Sequence, residues 1–182
     1  MILPLLLAAL VSTPSRDSSL SRTMIATPTV SRTPATAIGD ILHADSIVVE
    51  KQRRTMTLYN SGVAVRSYQI ALGKEPTGDK MRIGDNRTPE GVFHIDARNP
   101  QSKYHKALHI SYPDAEHIQK AKALGFAAGG DIMIHGLPPA YADLGSKHRD
   151  YDWTNGCIAV TDQEIEEIWR AVPNGAAIQI KP

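Results

Sequence analysis

Residues 130–160 read GDIMIHGLPPAYADLGSKHRDYDWTNGCIAV and contain the single cysteine of the chain. Ile132-Met133-Ile134 is a short apolar run of the kind that forms a buried strand, and His135-Gly136 closes it. Nineteen residues after His135 begins Thr154-Asn155-Gly156-Cys157, followed by the apolar Ile158-Ala159-Val160. A thiol is a weak nucleophile until it ionises, and a neighbouring imidazole can take its proton and hold the thiolate as an ion pair. Gly156, directly before the cysteine, lets the backbone turn sharply and leaves the adjacent amides of Gly156 and Cys157 to face a developing oxyanion. These are the parts that acyl transfer needs. A lone cysteine has other readings, as a small buried hydrophobe or an intermolecular bridge. The neighbours of Cys157 favour a reactive thiol.

Outward from this stretch, strand signals dominate. Residues 46–50 and 55–59 are rich in β-branched and apolar side chains, and Asn60-Ser61-Gly62 supplies the turn of a hairpin whose second strand runs over 63–72. Residues 91–96, 108–111 and 131–135 read as further short strands, and 177–180 as the last. Between them, 73–90 is a long loop punctuated by Gly78, Gly84 and Pro89, a length usually reserved for functional or disordered segments. Two short helices are expected. One spans 114–124, with Asp114 as cap and Gly125 as stop. The other opens on the capping box Thr161-Asp162-Gln163-Glu164 and carries Ile165, Ile168, Trp169 and Val172 at helical spacing before Pro173. The sum is a β-rich α+β domain.

With 182 residues, the chain is long enough for one ordinary domain and a tail. A hydrophobic content of 42 % suits a packed core, and a net charge of +1 with interspersed signs excludes the concentrated basic surface that duplex nucleic acid demands. Three segments follow: an apolar signal-peptide-like run over 1–11, a Ser/Thr/Pro-rich tether over 12–37, and a folded domain over 38–182. The apolar run is too short to span a bilayer and suits the core of an export signal, although no positive residue precedes it. Any weak membrane association is expected only through this segment.

The wider pattern resembles the L,D-transpeptidase catalytic domain, the YkuD-like family. His135-Gly136 and Thr154-x-Gly156-Cys157 carry the resemblance, joined by Gly73, Gly78-Asp79-Lys80, Gly84-Asp85, Thr88-Pro89-Glu90-Gly91, the run from Gly129 to Gly136, and Asp152-Trp153. It covers roughly residues 46–182. The resemblance implies a mixed or antiparallel, β-sandwich-like catalytic fold. It also implies an enzyme, without cofactor or metal, that acts on donor and acceptor stem peptides of peptidoglycan in the periplasm or cell envelope. In that family the cysteine attacks the bond after the third stem residue, usually a diamino acid; D-Ala leaves, a thioester forms, and an amine resolves it into a cross-link. Some members use a protein amine, or water. Carried onto this chain, Cys157 is the nucleophile and His135 the proton acceptor and donor. Gly136 orients the imidazole through a backbone carbonyl, and Gly156 supplies an oxyanion amide. Trp153, Thr154 and Asn155 fall to substrate binding. Hydrolysis of the same bond and a non-catalytic wall-binding module are the alternatives.

Two positions depart from the common pattern. Asn155 stands where many members have His, and Ala159 where many carry an Arg two residues beyond the cysteine. That Arg is a candidate for gripping a carboxylate, which alanine cannot do. Lys147 and Arg149 in the preceding loop are the nearest replacements by sequence, with Lys80, Arg82 and Arg87 next. His148 between them is a solvated loop residue or part of that basic cluster. His105 and His109, four apart in a segment of weak helical character, have the spacing of metal ligands but no third partner, so hydrogen-bonded histidines are expected. Tyr104, Tyr112 and Tyr141 line a cleft or simply pack. Asp79, Asp85 and Asp131 are expected in turns and caps.

Overall fold

A computed structural model describes residues 42–182; the apolar run 1–11 and the tether 12–37 lie outside the described residues. In chain order the elements are β1 (Ser46–Glu50), β2 (Thr55–Asn60), β3 (Val63–Gln69), β4 (Gly91–Ser102), β5 (His105–Ile110), α1 (Ala115–Ala123), β6 (Met133–His135), a 3-10 segment (Pro139–Asp150), β7 (Ile158–Ala159), α2 (Asp162–Ala171) and β8 (Ala177–Lys181). One mixed sheet contains all eight strands in the order β3-β2-β1-β8-β4-β5-β6-β7. Strand β4 joins its two halves. The first residues of β4, Gly91 to His94, pair with β8, and the rest pairs with β5 after a register shift at Ile95. A strand that changes partners midway must bend there, which folds the sheet around a shared core.

That core is made by alternation. Ile47 and Val49 of β1, Met56 and Leu58 of β2, and Ile178 and Ile180 of β8 turn inward, while their neighbours face outward. Leu108, Ile110, Ile134 and Ile158 continue the apolar face, and α2 lays Ile165, Ile168 and Ala171 on it. Each such aliphatic side chain stabilises the fold by about 1.5–3 kcal/mol on burial. Helix α2 starts as its capping box requires: Glu164 N–H donates to Thr161 Oγ1 at 3.3 Å, and Thr161 N–H donates to Glu164 Oε2 at 2.9 Å. Trp169 packs against the core edge and under the Arg98 guanidinium, 4.1 Å from the ring centroid. No described helix is long and apolar enough to cross a membrane.

Strand β3 ends at Gln69, short of the expected 72, and β6 begins at Met133 rather than 131; two other elements differ more. Strand β4 runs to Ser102, six residues beyond the apolar run, and β5 begins at His105 inside the segment read as weakly helical. A tight turn explains both, with Tyr104 N–H donating to Ser102 Oγ at 3.1 Å and His105 in the left-handed region at φ 68. His105 and His109 therefore lie on a strand. They pair with separate carboxylates, Glu166 at 2.9 Å and Asp96 at 2.6 Å.

The 73–90 loop is held by buried polar anchors. Lys51, 1 % exposed, donates to Gly78 O at 2.6 Å, Thr88 O at 2.8 Å and Glu90 Oε1 at 2.8 Å. Asp85 accepts from Lys80 Nζ at 2.7 Å and from the amides of Met81, Arg82 and Arg87. An ammonium with three acceptors is fully satisfied, so its burial is tolerated. Replacing Lys51 by Met strands the Glu90 carboxylate and two carbonyls. A urea titration of K51M should show a loss of about 2–4 kcal/mol, and a loss below about 1 kcal/mol would mean that the loop is held by other contacts.

Candidate active site

Strand β7 places the cysteine. It pairs in parallel with β6, Ile134 opposite Ile158 and His135 opposite Ala159. Extending that register by one residue brings Cys157 beside Met133, and His135 lies two residues further on, on the same face of the sheet. The far side of β7 is closed by Ala71, whose N–H and C=O exchange bonds of 3.0 and 2.9 Å with Ala159. Below it, Lys74 N–H donates to Thr154 O at 3.0 Å and Thr154 N–H donates to Leu72 O at 3.1 Å.

The turn before the thiol is organised by one hydroxyl. Thr154 Oγ1 donates to Cys157 O at 2.8 Å and accepts from Gly156 N–H at 3.1 Å, closing the four residues on themselves. Thr154 is buried with its hydroxyl engaged in the turn, and it also lines the cavity that holds the thiol. The Gly156 amide is occupied by that hydroxyl and does not stand free for an oxyanion, contrary to the sequence expectation. Gly156 itself is required. Its φ is +130, and a Cβ there would lie 2.7 Å from Arg87 O. Upstream, Asp152 anchors the same turn by accepting from Leu72 N–H at 2.8 Å and from two nitrogens of Arg54, at 3.0 and 2.7 Å to Oδ2.

His135 is 2 % exposed, and its Nδ1 donates to Gly136 O at 2.7 Å. This fixes the neutral tautomer with Nε2 as the unprotonated nitrogen. Tyr104 stacks on the imidazole with ring centroids 4.4 Å apart, and Trp153 meets it edge-on at 5.8 Å. Burial pushes the imidazole down to about 4, opposed by the Gly136 carbonyl. Gly136 has no room for a side chain: a Cβ would lie 2.5 Å from Asp162 Oδ1 and 3.0 Å from Tyr104 O. The half-buried Cys157 thiol is pushed up from its ordinary value, chiefly by burial and with Asp131 adding to it; the Met133 amide and Lys80 pull the other way. Its Sγ lies 3.4 Å from Asp131 O. Burial thus favours the neutral forms of both the thiol and the imidazole.

Both groups open into one cavity of about 610 Å³, lined also by Lys74, Lys103, Tyr104, Asp131, Trp153 and Asn155. Trp153 and Asn155, read as substrate-binding from the sequence, line this cavity together with Thr154. Lys147 and Arg149 do not. The guanidinium of Arg149 is bound to Glu164 beside α2, in a separate depression, and Lys147 lies exposed on the 3-10 segment outside the thiol cavity. His148 is fully buried, receiving Trp153 Nε1–H at 3.4 Å, and is pushed down to about 4 mainly by burial. Lys80 is buried against Asp85, and Arg87 donates to Asp79 O at 3.3 Å. Lys74 and Lys103 were not singled out by sequence; one follows a glycine in a loop and the other sits in a turn, and neither position carries a local signal. Among the described residues, no three or more His, Cys, Asp or Glu side chains gather as metal ligands.

Residues 44–180 match the family model of the L,D-transpeptidase catalytic domain, YkuD. The Escherichia coli K12 protein YafK, an L,D-transpeptidase by name, is 32 % identical over 142 residues, covering 75 % of this chain and 50 % of YafK. The chain thus spans about half the length of the curated relatives it matches. Among solved structures, the helical cell shape determining protein Pgp2 of Campylobacter jejuni aligns with a TM-score of 0.58 at 25 % identity, over 74 % of this chain and 46 % of Pgp2. Bd1075 of Bdellovibrio bacteriovorus gives 0.54 at 20 % identity, over 77 % and 48 %, a likeness of fold.

Gly156→Ala should disturb the thiol directly, because both the positive φ and the Arg87 carbonyl oppose a side chain. The expected loss of stability is about 1–3 kcal/mol, with a changed rate of Cys157 alkylation by iodoacetamide. Wild-type melting and alkylation in G156A would show that the turn relaxes without cost.

Proposed function

Because this chain belongs to the L,D-transpeptidase catalytic-domain family, we propose that it is an exported cysteine acyltransferase acting on peptidoglycan stem peptides in the periplasm or cell envelope. The observation that carries this reading is the shared cavity of Cys157 and His135, with the imidazole locked through Nδ1–H to Gly136 O so that Nε2 is the basic atom. A basic nitrogen of fixed tautomer that opens into the same cavity as a thiol suits nucleophilic catalysis.

In the proposed reaction Cys157 Sγ attacks the carbonyl carbon of the third stem residue while its proton passes to His135 Nε2. The tetrahedral oxyanion is met by backbone amide; since Gly156 N–H is held by Thr154, the Cys157 amide is the donor assigned. The C–N bond breaks, His135 returns the proton to the leaving D-alanine nitrogen, and a thioester remains on Cys157. An acceptor amine then attacks the thioester, losing a proton to His135, and a cross-link or an amine attachment results as the thiol is restored. Weighing the products of a purified tetrapeptide stem, with and without an acceptor amine, separates transfer from hydrolysis.

Cys157→Ser should lower turnover by at least about a thousandfold and His135→Ala nearly as much, since the two act as one unit. Turnover retained in either variant would sink the reading.

The pH profile offers an independent check. His135 must be neutral to accept a proton, and with its value near 4 it remains so at any pH above about 5. Because burial holds the thiol protonated beyond its ordinary range, kcat/KM should be flat through neutrality with its acid limb near pH 4. An acid limb centred at the ordinary imidazole value, about 6.5, would contradict the buried neutral base.

A further inference from the structure

Two ammonium groups, those of Lys74 and Lys103, line the cavity that holds Cys157 and His135. Among the described residues neither has a carboxylate within ion-pair distance, unlike most cations nearby. Arg54 is paired with Asp152, Lys80 with Asp85, Lys106 with Glu166 and Arg149 with Glu164. Lys74 Nζ reaches only the edge of hydrogen-bond distance to Asn155 Oδ1, at 3.5 Å. Lys103 Nζ stands 5.7 Å from the centroid of the Tyr104 ring, the same ring that stacks on His135. Asp131 is the one carboxylate on the described wall, and its side chain is 92 % exposed. With His135 neutral, the wall carries an excess of positive charge.

The fold sets these cations on either side of the thiol. Strand β5 flanks β6 on one side, and Lys103 lies in the turn that leads into it. On the other side, Ala71 closes the outer edge of β7 and Lys74 follows, its own amide fixed to Thr154 O at 3.0 Å. The Lys74 stem is anchored by that backbone bond, and both Lys74 and Lys103 are exposed. The strand itself offers no cation, since Ala159 is fully buried between Ala71 and His135. A lysine acts as a compact point charge with rotatable donors and accepts a carboxylate from many directions.

We propose that Lys74 and Lys103 form a two-sided cationic clamp that selects an acyl donor bearing a carboxylate on each side of the scissile bond. The proposal rests on the acyl-transfer reading above and deepens it. In a stem peptide those carboxylates belong to the diamino acid on the acyl side and to the leaving D-amino acid on the other. Each charge-assisted contact forms outside the reacting atoms, so it acts on donor binding.

The test compares the wild type with Lys74→Gln/Lys103→Gln and with Lys74→Arg/Lys103→Arg in two measurements. The first is the ratio of Cys157 alkylation rates by iodoacetate, an anion, and iodoacetamide, its neutral counterpart. The Gln pair should lower this ratio about five- to tenfold through loss of local field, and the Arg pair should keep it. The second is the KM of a tetrapeptide stem against the same peptide with its C-terminal carboxylate capped as the amide. Capping should raise KM about tenfold in the wild type, as one charge-assisted bond is lost, and much less in the Gln pair. An unchanged alkylation ratio, or KM values that ignore the cap in the wild type, would overturn the clamp. A wild type that turns over neither peptide would defeat the acyl-transfer reading, while the alkylation ratio would still decide whether the cations face the thiol.

Discussion

Two rungs of parallel pairing between β6 and β7 carry the site. Parallel neighbours cannot be joined by a tight turn and need a crossover of a dozen or more residues. The 3-10 segment Pro139–Asp150 is that crossover, and it accounts for the long spacer between His135 and Thr154. A strand of two residues cannot hold its register by its own ladder. It is held because Ile158 and Val160 are fully buried and because Ala71 pairs with its outer edge. The thiol and the imidazole thus share a cavity as a result of core packing.

Polar anchors from distant parts of the chain stiffen that arrangement. Asp152 ties the turn before Cys157 to Arg54, in the turn just before β2, and to the backbone of Leu72. Lys51 ties β1 to the loop that passes over the same turn, and Arg87 O from that loop touches the space where a Cβ on Gly156 would be. These are buried or half-buried charges with satisfied partners. Such groups hold a geometry more than they add stability, since replacing whole pairs by apolar residues is often neutral.

Much of this was legible in the sequence where the governing rule is local. The capping box of α2, the Asp114 cap of α1, the hairpin turn at Asn60-Ser61-Gly62 between β2 and β3 and the Thr154-x-Gly156-Cys157 turn follow from residues within a few positions of one another. What was hidden depends on distant partners. Residues 97–107 are polar on the face that meets solvent, and only their pairing with each other makes them strands. The basic run Lys147-His148-Arg149 reads by sequence as a replacement grip on a carboxylate; the crossover instead buries His148 under Trp153 and turns Arg149 to the cap of α2. The capping carboxylate of Glu164 captures that guanidinium, a competition that no local pattern reveals. Lys74 and Lys103 reach the cavity for the converse reason, since two separate backbone pairings bring their loops to its rim.

The half-buried state of Cys157 bears on how the protein endures oxidants. Peroxides attack the thiolate and scarcely the thiol. A sulfur that its surroundings hold towards the protonated form is a slower target for such attack, although it opens to the cavity. The protection matters because this sequence has no second cysteine. A sulfenic acid formed at Cys157 has no resolving thiol in the chain with which to close a disulfide, and continued oxidation leads to the irreversible sulfinic and sulfonic acids. Desolvation of the sulfur thus guards the one atom in the chain for which there is no repair from within.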